Sequence, residues 1–239
     1  MTWSIVALDG ATGQLGVAVA SRFFAVGALC PAVSAGKGAL STQALINPLY
    51  ARDGLAALDE GLDPRSIVSR LVGADAGREV RQFHVVDAKG ASAQHTGRNC
   101  IDWCGHRSGP GYSMAGNMLA GPRVLEETER GYLANSSLAF AERLMSAMEA
   151  GEAAGGDKRG KQAAAILIHG AEEYPLLSLR VDDHPQPLAE LRRLYAASLE
   201  RFQAFMGCLA TRADPVGIID RAEIDAHVAR FQAERAKHA

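Results

Sequence analysis

The 239-residue chain balances 25 Lys plus Arg against 27 Asp plus Glu, for a formal net charge of −2, and is 48% hydrophobic and 22% charged. Such proportions suit a globular core rather than a disordered chain, and the lack of a basic excess or basic run argues against nucleic acid or an anionic membrane as a partner. The sequence has no signal-peptide pattern and no run of eighteen apolar residues, so a cytoplasmic location is expected, with the irregularly spaced Cys30, Cys100, Cys104 and Cys208 as reduced thiols rather than a disulfide framework.

In chain order, "TWSIVALD" and "LGVAVASR" around the turn "GATGQ" predict an N-terminal hairpin. Its second arm is apolar on both faces, which places it where both sides are covered. Strands are predicted next at Ala32 to Ser34, Ala39 to Gln43, Arg81 to Val86 and Ala91 to Thr96, the last two joined by "DAKG". Between them, Asn47 with Pro48 and Asp63 with Pro64 each mark a helix start. The glycine-rich stretch "GHRSGPGYSMAGNMLAG" supports a site without defining its reaction, because backbone there can approach a ligand closely or take positive φ without a side-chain clash. Helices follow over "PRVLEETERGYL" and "SSLAFAERLMSAMEAGEAAGG". "KQAAAILIHG" and "PLLSLRVDD" then read as buried strands. One long helix begins at "PQPLAELRRLYAASLERFQAFMG", and a helical tail begins at Asp214 and Pro215. Runs of strands interrupted by helix pairs predict an α+β fold with stacked sheets and outer helices, an αββα sandwich of mainly antiparallel strands. A single domain over 1–239 is expected, with 188–239 as its helical C-terminal part. The apolar stretch from Leu188 to Phe231 suggests a homodimer contact.

Several groups could carry chemistry. Thr2 follows the initiator Met, and trimming of Met1 would leave one residue bearing both a hydroxyl nucleophile and an α-amine able to take its proton. In "HTGRNCIDWCGH", His95, Cys100, Cys104 and His106 fall close together, the last three with shared parity. On a straight strand Cys100 and Cys104 would stand about 13 Å apart, too far for one zinc ion without a bend. They are therefore read as buried thiols beside a pocket histidine, and no metal or cofactor is expected. "GGDKRGKQ" puts Asp157, Arg159 and Gln162 ahead of a buried strand, where they could recognise a carboxylate or amide. Motifs of serine hydrolases, zinc proteases, C-x-x-C redox proteins and phosphate loops are missing.

The opening "TWSIVALDGATGQLGVAVASR" resembles the first hairpin of the N-terminal-nucleophile hydrolases, whose second strand ends in a small polar residue followed by Arg, here Ser21 and Arg22. More closely, the chain from Met1 to about Leu194 resembles the bacterial family known as domain of unknown function 1028, through "GVAVASRFFAVGA", "GREVRQFHVVDAKG", "HTGRNCIDWCGH", "GYSMAGNMLAGP", "GEAAGGDKRGKQAAA" and "LRVDDHPQPLAELRRL". The resemblance implies the four-layer sandwich and hydrolysis of a C–N amide bond in a small molecule. It implies Thr2 as nucleophile, Lys37 as the lysine that tunes and orients it, and Asn117 as an oxyanion donor. Ser21, Arg22, Gln43, His95, His106, Asp157 and Arg159 are the expected substrate-binding residues. Two other readings stand beside this one: a catalytically silent ligand-binding relative that retains Met1, and a zinc-dependent hydrolase.

Overall fold

The computed structural model describes residues 2–237. The chain divides into two compact units, Met1–Leu191 and Arg192–Ala239.

The first unit is a mixed α/β fold with antiparallel sheets. Strands β1 (Thr2–Leu8) and β2 (Leu15–Ser21) form the expected hairpin, closed where Asp9 N–H bonds to the Gln14 carbonyl at 2.8 Å. Next come β3 (Pro31–Ser34), β4 (Gly38–Ala44), helices α1 (Leu49–Asp59) and α2 (Pro64–Ala74), then β5 (Arg81–Asp87) and β6 (Ser92–Thr96). Asn47 Oδ1 accepts from Leu49 N–H at the start of α1. Asp63 caps α2 by accepting from the N–H groups of Arg65 and Ser66, with Pro64 in the first helical turn.

The glycine-rich stretch, over which the sequence predicts no strand, is a hairpin: β7 (Gly105–Gly109) and β8 (Tyr112–Asn117) meet around Gly111, whose φ of +79° suits glycine. Period-2 hydrophobicity is faint here because small residues dominate. The Gly116 position leaves no room for a side chain, since an added Cβ would lie 2.5 Å from Leu119 and 3.0 Å from Trp3. Helices α3 (Arg123–Ala134) and α4 (Phe140–Ala153) lead to β9 (Ala163–His169), β10 (Pro175–Val181) and the start of α5 (Pro187–Ser198).

Among the described residues ten strands make two sheets, ordered β10-β9-β2-β1-β8-β7 and β3-β4-β5-β6, with every pair antiparallel. Helices α1 and α2 cover the four-stranded sheet, where Leu40, Phe83 and Val85 pack against Tyr50, Leu58, Ile67 and Leu71. Helices α3 and α4 lie on the six-stranded sheet. Small β2 residues let α4 come close, for an added Cβ on Gly16 would meet Phe140 at 2.8 Å. This accounts for the burial of β2 on both faces.

The remaining faces of the sheets meet each other, and the composition of that layer changes along its length. At one end Val6, Val17, Val33, Ala39 and Val86 form an apolar cluster. Toward the N-terminal end of β1 the inward positions become Thr2, Ser4, Gln43, Gln82, His84, Ser113 and Asn117, all buried. Buried polar groups are tolerated only when hydrogen-bonded, and this half of the layer meets that demand through one network.

The second unit comprises the end of α5 with α6 (Phe202–Met206) and α7 (Arg221–Ala236). The single long helix expected from Pro185 is interrupted after Ser198, whose Oγ bonds back to the Tyr195 carbonyl at 2.6 Å, and Arg201 adopts φ −148°. The tail helix starts at Asp220, which caps α7, rather than at Asp214. The Asp214 carboxylate instead accepts from Val216 and Gly217 N–H in a turn. Among the described residues no helix is long and apolar enough to cross a membrane.

Candidate active site

Thr2 begins β1, a central strand of the six-stranded sheet, and pairs with Asn117 on one side. On the other side β2 ends at Ser21. The Thr2 side chain donates from Oγ1 to Ser21 Oγ at 3.2 Å. Its main-chain carbonyl accepts from two side-chain amides, Asn117 Nδ2 at 3.3 Å and Gln43 Nε2 at 3.4 Å. Thr2 is only 3% exposed. The fate of Met1 lies outside the described residues.

The two clamping amides are themselves fixed by Gln82, which is fully buried. Its Oε1 accepts from Gln43 Nε2 at 2.7 Å and from Asn117 Nδ2 at 3.0 Å. Its Nε2 faces the carbonyls of Gly116 and Gly105 and Thr96 Oγ1, at 2.9, 3.1 and 2.9 Å. Thr96 in turn bonds to His106 Nδ1 at 3.0 Å, so the network runs from Thr2 to the rim of the sheets.

A second branch runs inward. Ser4 Oγ donates to Gln43 Oε1 at 2.7 Å and meets His84 Nε2 at 2.8 Å, while His84 Nδ1 meets Ser113 Oγ at 3.1 Å. With the Ser4 proton committed to Gln43, the network assigns His84 the tautomer that donates from Nε2 and accepts at Nδ1. Burial, reinforced by the nearby His106, pushes the His84 pKa down to about 3, so the ring is neutral. Gln82 and His84 are the residues that sequence reasoning missed. Their alternation with Phe83 and Val85 on β5 was the available signal, since polar residues on the inner face of a buried strand need partners.

Sequence-predicted residues separate into three groups. Thr2, Ser21, Gln43 and Asn117 come together. Asn117 contributes differently from the expectation, because both donors of its amide are engaged by Thr2 O and Gln82 Oε1. It holds Thr2 in place rather than presenting a free oxyanion donor. Arg22 and Asp157 adjoin this cluster: Asp157 accepts from the Arg22 main-chain N–H at 2.7 Å and from Arg159 N–H at 2.8 Å, with the Arg159 guanidinium at 3.3 Å. Ser21 and Asp157 share a small cavity of about 100 Å³ with Trp3 and Gly156.

Lys37 stands apart. It is exposed in the turn between β3 and β4, where its N–H bonds to the Ser34 carbonyl, at the end of β4 opposite Gln43. Six residues of extended strand separate it from Gln43, roughly 20 Å, so it does not reach Thr2. His95 lies on β6 with Nε2 on the Arg78 carbonyl at 2.8 Å, and His106 joins the network only through Thr96. Burial and the neighbouring His95 lower the His106 pKa.

The cysteines hold structural positions. Cys100 Sγ donates to the Arg81 carbonyl at 3.2 Å and Cys104 Sγ to the Cys100 carbonyl at 3.6 Å. Burial raises the Cys100 thiol to about 11 and the Cys30 thiol to about 12, far from the thiolate a nucleophile or ligand requires. Among the described residues no group of three or more His, Cys, Asp or Glu is arranged to hold a metal ion.

Residues 2–191 match the model of the "Family of unknown function (DUF1028)". The crystal structure of protein SPO2555 from Silicibacter pomeroyi, described with the same family, is similar over 92% of this chain and 96% of its own, with a TM-score of 0.85 and 30% identity. Anbu (ancestral beta-subunit) from Yersinia bercovieri is a remote neighbour, at TM-score 0.42 and 12% identity over 82% of this chain and 94% of that one. A comparison with curated proteins finds no match. The polar network around Thr2 and the sheets that carry it lie within the matched residues, and this chain belongs to the DUF1028 family.

Proposed function

We propose that the chain is an N-terminal-nucleophile amide hydrolase built as a four-layer αββα sandwich, with Thr2 as its nucleophile once Met1 is removed. The observation that carries this reading is the fixation of residue 2. Beyond the pairing of its strand on both sides, the Thr2 carbonyl takes two side-chain amides and its hydroxyl bonds to Ser21. Holding a nucleophile in one geometry is what covalent catalysis requires of its scaffold.

In the proposed reaction Thr2 Oγ1 forms a bond to the amide carbonyl carbon and its proton passes to the α-amine of Thr2. That proton is then delivered to the leaving nitrogen as the C–N bond breaks. Water next hydrolyses the acyl-threonine ester, which releases the acid and restores the hydroxyl. Asn117, Gln43 and Gln82 act as positioning residues, and Ser21 orients the hydroxyl. The test is an amide panel assayed with protein whose N-terminus is defined by mass spectrometry. Thr2→Ala should abolish turnover and Thr2→Ser retain part of it. Quantitative retention of Met1, or full turnover by Thr2→Ala, would overturn the proposal.

The low exposure of Thr2 favours one alternative, a ligand-binding protein that keeps Met1. In that case Thr2→Ala leaves ligand affinity unchanged and no amide is cleaved.

A further inference from the structure

Two cavities of contrasting chemistry flank the head of β1. On the β8 side, a pocket of about 370 Å³ is lined by Ala44, Leu45, Cys100, Ile101, Asn117 and Met118, with no charged side chain among its described walls. Asn117 belongs both to this pocket and to the clamp on Thr2. Leu45 and Ile101 are 63% and 56% exposed, apolar surface left open to solvent at the pocket. Ala44 and Met118 both take left-handed backbone conformations, φ +68° and +53°, without being glycine. Positive φ is uncommon for non-glycine residues, and two of the three such residues among the described ones line this pocket, the third being Ala25.

On the β2 side, a cleft of about 360 Å³ is lined by Arg22, Lys161, Gln162, Asp183, His184 and Pro185. Lys161 pairs with Glu152 at 2.7 Å, and the Asp183 carboxylate accepts from the neutral Gln162 Nε2 at 3.1 Å. The Arg22 guanidinium bonds to the Arg159 carbonyl and, although Asp183 lines the same cleft, makes no ion pair among the described residues. A guanidinium with most of its donors open is suited to a carboxylate, which it can take through two parallel bonds.

Strands β2, β1 and β8 are neighbours, so Ser21 with Arg22 and Asn117 stand on either side of Thr2, about 10 Å apart by two strand spacings. We infer that the ligand is an N-acyl amino acid, its apolar acyl group in the pocket beside Asn117 and its carboxylate on Arg22. An amide lying across Thr2 then reaches both cavities. Uncharged fatty amides would leave Arg22 unmatched, and acetylated amino acids would leave the apolar pocket empty. Identifying the acyl carbon as the atom attacked rests on the amide-hydrolase reading, whereas the ligand class does not.

Calorimetric titration separates the two. N-octanoylglycine should bind at least tenfold more tightly than N-octanoylglycinamide and than N-acetylglycine. Arg22→Gln, which keeps the main-chain N–H to Asp157, should remove the advantage over the glycinamide while sparing the acyl preference. Ile101→Asp, at an exposed position of the pocket, should remove the acyl preference alone. Equal affinities for the three compounds, no measurable binding of N-octanoylglycine, or variants that weaken all three alike would overturn the inference. Turnover is scored apart: binding in the expected order without cleavage refutes the hydrolase reading and leaves the ligand class standing.

Discussion

His84 sits at the centre of the space between the sheets, fully buried, and the protein's stability should therefore fall in mild acid in a way that one substitution can isolate. An unfolded histidine takes up a proton near its ordinary value of 6.5, whereas the folded ring stays neutral down to about 3. Between those values the unfolded chain binds one more proton than the folded one, so stability rises with pH across this window and is lost as pH falls below about 6. The slope is about 1.4 kcal/mol per pH unit, which over two units removes roughly 2 to 3 kcal/mol from a total that for most domains is 5 to 15 kcal/mol. The groups facing the ring are the hydroxyls of Ser4 and Ser113, and no carboxylate is hydrogen-bonded to it to offset the penalty. His84→Gln removes the titration but retains a polar side chain that can meet either serine. At pH 7.5 the variant should be less stable by about 1 to 3 kcal/mol, through an imperfect hydrogen-bond match. The gap should close by about 1.4 kcal/mol for each unit of acidification below 6. Urea unfolding at pH 7.5, 6.5, 5.5 and 4.5 measures it. His106 and His169, whose pKa values are also lowered by burial, are present in both proteins and cancel in the difference. A gap that stays constant through the series would refute the assignment of His84 as the acid-sensitive group.

Gln82→Leu should cost about 2 to 4 kcal/mol in urea unfolding, because it strips an acceptor from Gln43 and Asn117 and a donor from two strand carbonyls. Gly151→Ala would place a Cβ 2.2 Å from Thr128 Oγ1 and 3.0 Å from Trp3 Nε1; wedging α4 off α3 and β1 should lower stability by about 1 to 3 kcal/mol, read as a fall in Tm. Lys37→Ala should change stability by less than about 0.5 kcal/mol and leave turnover of any substrate unaltered. A large loss of turnover in that variant would restore the lysine to the site.

The hairpin β1–β2, the capped starts of α1 and α2 and the burial of β2 were legible because each is written in local chemistry: turn residues, an Asp before a Pro, an apolar run too continuous for a half-exposed strand. The β7–β8 hairpin was hidden by its own packing requirement. Gly105 and Gly116 are small so that Trp103, and Trp3 with Leu119, can close over them, and that smallness erases the alternation by which strands are recognised. Thr2, Ser21, Gln43 and Asn117 were legible as candidates, whereas their arrangement was not, because it is set by the antiparallel register of β1 with β8 and by contacts between two sheets. Lys37 shows the limit of proximity in sequence. It follows the hairpin closely, but β4 carries the chain away from it toward Gln43, so the residue near Thr2 is the one at the far end of that strand.

The gradient between the sheets connects these points. A wholly apolar layer would give more transfer free energy per side chain, about 1.5 to 3 kcal/mol for each buried Val or Leu, and the valine cluster provides this at one end. At the other end the chain forgoes it for Ser4, Gln43, Gln82, His84, Ser113 and Asn117, whose net hydrogen-bond contribution is smaller. Apolar contacts are non-directional and could hold the sheets together but could not fix the orientation of the first residue of β1. Gln82 can, because its amide has a donor end and an acceptor end: with the donor end locked on the carbonyls of Gly105 and Gly116, the acceptor end turns Gln43 and Asn117 so that both present N–H to the same Thr2 carbonyl. Reversing Gln43 or Asn117 would set acceptor against acceptor at Thr2 O and Gln82 Oε1, and reversing Gln82 would set donor against donor at those two amides and acceptor against acceptor at the Gly105 and Gly116 carbonyls, so the network has one low-energy arrangement.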